Sequence, residues 1–175
     1  ELEIALEAEY FSGLARIARR IRDNHVSLFI GTIIDLTNIL AILRHVTRGK
    51  SAKRQELLGE CYALTSRQLD KCLACDSLDA FLTTLGETHY FRLGAKLNER
   101  YMTSHDVSSL EVMMDQYVNH VAKEAFFGSA FTPGYVLDYV LLRENEAKLV
   151  TAALKMVEEQ IPYDACARYF AGGGA

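Results

Sequence analysis

A chain of 175 residues, half of them hydrophobic, can bury a sizeable core as one domain or two small ones, which excludes a disordered tail. Its net charge of −4 argues against a general nucleic-acid binder. Two prolines, no tryptophan and no stretch alternating in Val, Ile and Thr leave an all-α fold as the expectation.

The charge is unevenly placed. Residues 10–54 carry nine Lys/Arg against Asp23 and Asp35, whereas residues 55–175 carry ten against seventeen acids. Faces of opposite sign are therefore expected, an arrangement suited to docking between two different partners. Cys61, Cys72, Cys75 and Cys166 lie in helical, apolar surroundings, which points to a reducing cytoplasm rather than a disulfide framework. The chain opens on Glu1 in mid-pattern and without a signal peptide, so a piece of a longer protein is expected.

Residues 2–22 place Ile4, Ala8, Phe11, Leu14, Ala15, Ala18 and Ile21 at helical spacing, with glutamates early and Arg16, Arg19, Arg20 and Arg22 late, complementing a helix dipole. Asp23-Asn24-His25 breaks the run. The next stretch, Val26 to Arg44, has eighteen residues before the arginine and is the most apolar in the chain. That approaches the ~20 residues a bilayer span requires. Asp35 and Asn38 stand inside it, one turn apart, and an ionised Asp near a bilayer centre costs roughly 2.5–3.5 kcal/mol. A buried helix without membrane insertion is the better reading, running to about Arg48 with Gly49 as its stop.

Ser51 is placed to cap a short amphipathic helix over Ala52–Leu64 that turns Leu57, Leu58, Cys61 and Leu64 to a core. Thr65-Ser66 caps the segment Arg67–Cys75, and Ser77 caps LDAFLTTLG. After Gly86 a helix is expected from about Thr88 to Tyr101. A longer one runs from Ser109 to Phe127, started by Asp106 or Ser108 and stopped by Gly128. Thr132-Pro133 opens the longest, about 27 residues to Glu159, on the order of 40 Å. Ile161-Pro162 interrupts it before a last helix to Phe170. The pattern predicts a compact bundle of short and long helices over residues 1–175, with weak seams at Asn24-His25 and at Met102 to Asp106.

No constellation carries catalysis, a cofactor or a metal. Cys72 and Cys75 form a CxxC, but at the end of a short helix rather than at the N-terminus that lowers a thiol pKa, and neither Cys61 nor His89 clearly completes a zinc site. The histidines at 25, 45, 89, 105 and 120 are scattered. Glu111, Glu124, Glu144 and Glu146 lack the His three residues on that a di-metal bundle requires, and Glu144 to Lys148 has the spacing of a solvated ion pair. This leaves Asp35, Asn38 and Arg44. They are read as a structural polar network in which the acid and amide hydrogen-bond neighbouring helices and Arg44 pairs a carboxylate at the helix end, fixing helix angles so that a shaped surface meets a partner.

The words IIDLTNILAILR, running into HVTRGK, resemble the C-subunit family of the A/V-type ATPases (ATP synthases), whose eukaryotic member is the d subunit. The family's recurring acidic-Leu-x-Asn-Ile-x-x-x-Leu-Arg helix and Gly-Lys link are matched by Asp35, Leu36, Asn38, Ile39, Leu43, Arg44, Gly49 and Lys50. Downstream, AFFGSAFTPGYVLDYVLLRENEAKLV is similar to the family's aromatic-Gly stretch and tyrosine helix, through Phe127, Gly128, Tyr139, Glu144 and Glu146. Arg143 stands where lysine is usual, Val150-Thr151 where Leu-Arg is common, and Ala167 where arginine is expected beyond Pro162 and Asp164.

The resemblance spans about Glu9 to Phe170 and implies the C-terminal half or so of a funnel built of related three-helix-rich units. It implies a non-catalytic socket between the rotor's central shaft subunits and the membrane proteolipid ring, peripheral on the cytoplasmic face of the membrane within a hetero-oligomeric complex. Charge and motif position make Arg19, Arg20, Arg44, Lys50, Glu144 and Glu146 the candidate partner contacts. Two other classes are distinguishable from this one: a free-standing helical adaptor that takes a partner helix in an apolar groove, and a metal- or redox-active bundle using Cys61, Cys72 and Cys75.

Overall fold

The computed structural model describes residues 2–50, 52–59, 61–104, 107–126 and 132–162. Among these residues there are seven α-helices, a single 3-10 turn at Arg54–Glu56 and no strand: α1 (Leu2–Ile21), α2 (Asn24–Val46), α3 (Ser66–Leu73), α4 (Leu78–Gly86), α5 (Phe91–Ser104), α6 (Val107–Phe126) and α7 (Pro133–Glu158). The expected all-α class is therefore the observed one. The chain forms two compact units, Glu1–Val118 and Asn119–Ala175, and α6 begins in the first and ends in the second. Asp106, Phe127, Gly128 and, beyond Pro162, the helix expected from Pro162 to Phe170, with Asp164, Cys166 and Ala167, lie outside the described residues, as does the Ser51 cap.

The first unit is built on α2. Arg22 takes a left-handed φ of 57° and turns the chain out of α1. The Asp23 carboxylate then accepts the backbone N–H groups of His25 and Val26 at 2.8 and 3.0 Å, which starts the helix two residues before the apolar run. At the far end Gly49, at φ 63°, lets the Lys50 N–H return to the carbonyl of His45. By length and mean hydropathy α2 meets the test of a membrane span, yet 67% of its most apolar window is buried inside the protein, as for a core helix.

Around α2 the helices pack in pairs, α1 on α2, α3 on α4, α4 on both α2 and α5. Ile39, Ile42 and Leu43 of α2 meet Leu69, Phe81, Leu85, Leu97 and Leu110 in one core, each of them fully enclosed. Burying a side chain of that size contributes about 1.5–3 kcal/mol. Thr65 and Ser77 cap α3 and α4 as their spacing predicts, accepting from Gln68 N and Ala80 N.

Two expectations need correction. Residues 52–59 and 61–64 bury Leu57, Leu58 and Leu64 as foreseen, but they form an extended, irregular strap with one 3-10 turn instead of an α-helix. The reason lies in the destinations of their backbone donors: the N–H groups of Leu58, Tyr62, Ala63 and Leu64 go to side chains of α2 rather than to carbonyls four residues back. Likewise α5 begins at Phe91 and not at Thr88, because Thr88–Tyr90 form a turn. The Thr88 hydroxyl donates to the Leu85 carbonyl at 2.7 Å and accepts from Tyr90 N at 3.1 Å.

In the second unit α7 starts as the Thr132-Pro133 pair predicts, with the Thr132 hydroxyl accepting from Tyr135 N at 3.3 Å. It ends where Gln160 takes a left-handed φ of 55° and the Ile161 N–H returns to the Met156 carbonyl at 2.9 Å.

Candidate functional site

Asp35 and Asn38 sit three residues apart, hence on one face of α2, and both are completely buried. The strap crosses that face. Asp35 Oδ1 accepts from Tyr62 N at 2.8 Å, while Oδ2 accepts from Ala63 N at 2.7 Å, Leu64 N at 3.0 Å and the Tyr90 hydroxyl at 2.9 Å. Four donors on one carboxyl group, with no acceptor in the set, is the pattern an ionised carboxylate satisfies. One turn along, Asn38 Oδ1 accepts from Leu58 N at 2.7 Å and Nδ2 donates to Leu58 O at 3.4 Å. The acid and amide thus act as a clamp on the strap, and their backbone partners belong to an irregular segment instead of to neighbouring helices.

Two further residues complete the clamp. Tyr90, 1% exposed, lies edge-on to Tyr117 at 6.1 Å between ring centroids. Burial, then the adjacent Asp35 carboxylate, pushes its hydroxyl above the ordinary tyrosine range, so it remains a donor. Gly31 lies one turn before Asp35, and a Cβ added there would come within 2.1 Å of the Tyr62 ring, so the missing side chain is what lets the strap lie on the helix. An isolated glycine within an apolar helix is the sequence signal for such close approach. Nothing in the local pattern points to Tyr90.

Arg44 stands apart from this pair, exposed and nine residues beyond Asp35, or about 14 Å along the axis. Near it His45 Nε2 lies 3.4 Å from Glu56. Lys50 is exposed on the turn that follows, and Arg20 is exposed near the end of α1. Arg19 lines a cavity of about 300 Å³ between α1 and α2, with Ala15, Ala18, Ile30, Ile34 and Tyr62 among the walls. In the second unit Glu144 pairs with Lys148 at 2.9 Å and Glu146 with Arg143, all on the exposed surface of α7. Such pairs contribute about 0.3–0.5 kcal/mol.

Cys72 and Cys75 belong to the hydrophobic core. Burial, with Cys75 beside it, pushes the Cys72 thiol up to about 12, the opposite of what a redox nucleophile needs. This gives a pH dependence. Cys72 and Tyr90 hold their protons to higher pH in the folded than in the unfolded chain, whose ordinary values are 9.0 and 10.0. Their contribution is complete below those values and is lost as pH rises above them, at up to about 1.4 kcal/mol per pH unit for each group. Urea unfolding from pH 7.5 to 10.5 is expected to show a falling midpoint above pH ~9, with a shallower early fall in Cys72→Ala. Equal slopes in the two proteins would contradict this account.

Known proteins similar to this chain agree on one family. The A-type ATP synthase C subunit of Methanocaldococcus jannaschii is 26% identical over 159 residues, covering 87% of this chain and 39% of that protein. The proteins of the same name from Pyrococcus furiosus and Methanothermobacter thermautotrophicus are 24% and 20% identical, covering 78% and 84% of this chain and 37% and 40% of their own lengths. The chain therefore spans about two fifths of the length of the curated relatives it matches. No solved structure gives a significant match. The sequence pattern of the ATP synthase (C/AC39) subunit family matches residues 1–169, and the chain belongs to that family.

Proposed function

We propose that this chain is part of a non-catalytic central-stalk subunit of a rotary A/V-type ATPase, a socket that links the shaft subunits to the membrane proteolipid ring and so couples rotation to proton or sodium transport. The observation that carries the reading is the extent of the similarity: it covers 87% of the chain, not a single motif. Physical features support it. The buried acid of α2 has both oxygens engaged by internal donors, which makes it a brace and not an acid–base group. Exposed apolar residues on α1 (Leu6, Tyr10, Ile17) and on α7 (Val136, Tyr139, Leu154) suit surfaces that other chains cover in an assembly.

In this reading the clamp holds the strap and α2 at a fixed geometry under load. Arg19, Arg20, Arg44, Lys50, Glu144 and Glu146 face the shaft or the ring, and the protein lies peripherally on the cytoplasmic side of the membrane. The complete protein, mixed with shaft subunits and proteolipid ring of its own organism, is expected to co-elute with them in size-exclusion chromatography and to turn over no ATP alone. Omitting it from the reconstituted complex is expected to abolish ATP-driven ion pumping while the catalytic head still hydrolyses ATP. Failure to bind either partner would overturn the proposal.

A further inference from the structure

We propose that the turn closing α2 is a docking surface for an acidic segment of a protein partner, held by Arg48, Lys50 and Lys53. The inference rests on the preceding reading in taking that partner from the ATPase assembly. From Leu36 to Gln55 the chain contains no acid, and five Lys/Arg fall between Arg44 and Arg54. The structure divides these five. Arg54 is paired with Asp70 at 2.6 Å, and the nearby imidazole of His45 with Glu56 at 3.4 Å. Arg48, Lys50 and Lys53 are exposed, and among the described residues no acid forms an ion pair with their side chains, the Glu56 carboxylate reaching only the Lys53 backbone N–H. Arg44 is exposed at the edge of the same end of α2.

The turn that carries these cations is closed rather than loose. Thr47 N donates to Leu43 O, Gly49 N to Val46 O, and both Arg48 N and Lys50 N to His45 O, all within 2.9–3.0 Å. Lys53 N is fixed by Glu56 Oε2 at 2.8 Å. The backbone donors of Thr47, Arg48, Gly49, Lys50 and Lys53 are thus satisfied internally, and a ligand need not pay for ordering them. A helix C-terminus favours basic residues in its last turn, which accounts for Arg44 and in part Arg48, but the dipole's influence fades beyond that turn and leaves Lys50 and Lys53 unexplained.

The same site disfavours a lipid surface as the occupant. The apolar residues beside the cations, Val46, Ala52 and Leu57, are buried, so nothing is offered for insertion between acyl chains. Three to four cations attracted to anionic headgroups at about 1 kcal/mol each hold a protein only marginally. Carboxylates on a folded partner can meet the Arg48 guanidinium in a bidentate, charge-assisted pair and the two ammonium groups by shorter-range contacts.

The test compares the complete protein with its R48E/K50E/K53E variant, using Arg67→Glu/Lys96→Glu as a control, since those cations are exposed on α3 and α5. Three probes are used: the shaft and ring subunits, a poly-glutamate peptide, and phosphatidylcholine vesicles containing phosphatidylglycerol. Unchanged thermal midpoints check that all three proteins are folded. The expected result is at least a tenfold loss of subunit binding and loss of poly-glutamate binding in the triple variant, with less than a twofold change in the control and a fall in wild-type affinity as salt rises. Triple-variant binding equal to that of the control, for subunits the wild type does bind, would overturn the docking surface and leave the coupling function standing. Selective loss of vesicle binding alone would overturn the choice of a protein partner. Poly-glutamate discrimination by a wild type that binds no ATPase subunit would sustain the patch and sink the coupling function.

Discussion

Asp35→Ala is expected to destabilise the first unit by about 3–5 kcal/mol. The substitution takes the acceptor away from four donors at once. Two of them, Leu64 N and the Tyr90 hydroxyl, are buried, and an unsatisfied buried donor costs about 1–3 kcal/mol. The amides of Tyr62 and Ala63 are partly buried and recover water in part. Asp35→Asn keeps the shape but turns an NH2 group toward at least one of those donors, so it too is expected to be unfavourable, at about 1–3 kcal/mol. Urea unfolding measures the sum, and amide hydrogen exchange locates it: protection at Tyr62, Ala63 and Leu64 is expected to fall more than protection within α2. Uniform loss across the unit would argue that Asp35 does not act through the strap.

Gly31→Ala is expected to cost about 1–3 kcal/mol, although alanine is ordinarily the better helix former by roughly 1 kcal/mol. A Cβ there would meet Cγ, Cδ2 and Cβ of Tyr62 at 2.1–2.6 Å, so the root of the side chain must move and not merely its tip. That root cannot retreat freely, because the Tyr62 amide is bonded to Asp35. Tyr62 itself is half exposed and contributes less on its own account. In the double variant Gly31→Ala/Tyr62→Gly, which removes the Tyr62 Cβ as well as the ring, the change at Gly31 is therefore expected to cost less, once corrected for Tyr62→Gly alone, than it does with Tyr62 present, a coupling opposite in sign to that of two residues sharing a favourable contact. Additive costs in that cycle would show that the close approach is unimportant.

Both effects arise from one arrangement, an irregular strap held on the central helix by side-chain acceptors. It explains how a carboxylate is tolerated on a helix apolar enough to resemble a membrane span. The charge is met by aligned backbone and hydroxyl donors, which stabilise a buried anion where bulk water is excluded. Both Asp35 oxygens are thereby engaged by donors of the protein itself.

By itself the sequence determined whatever depends on neighbours a few residues away. Caps at Thr65, Ser77 and Thr132, the left-handed stop at Gly49 and the helical spacing of apolar residues are local, and α1, α2, α4 and α7 follow from them within a few residues. The apolar setting of Asp35 and Asn38 likewise marked them as a buried polar pair. Only the tertiary structure decided what those two residues hold. Their partners lie 20 to 29 residues away in the strap and 55 away at Tyr90, separations over which periodicity carries no information. The strap itself reads as a helix from its apolar spacing, and becomes something else because distant side chains satisfy its backbone donors first.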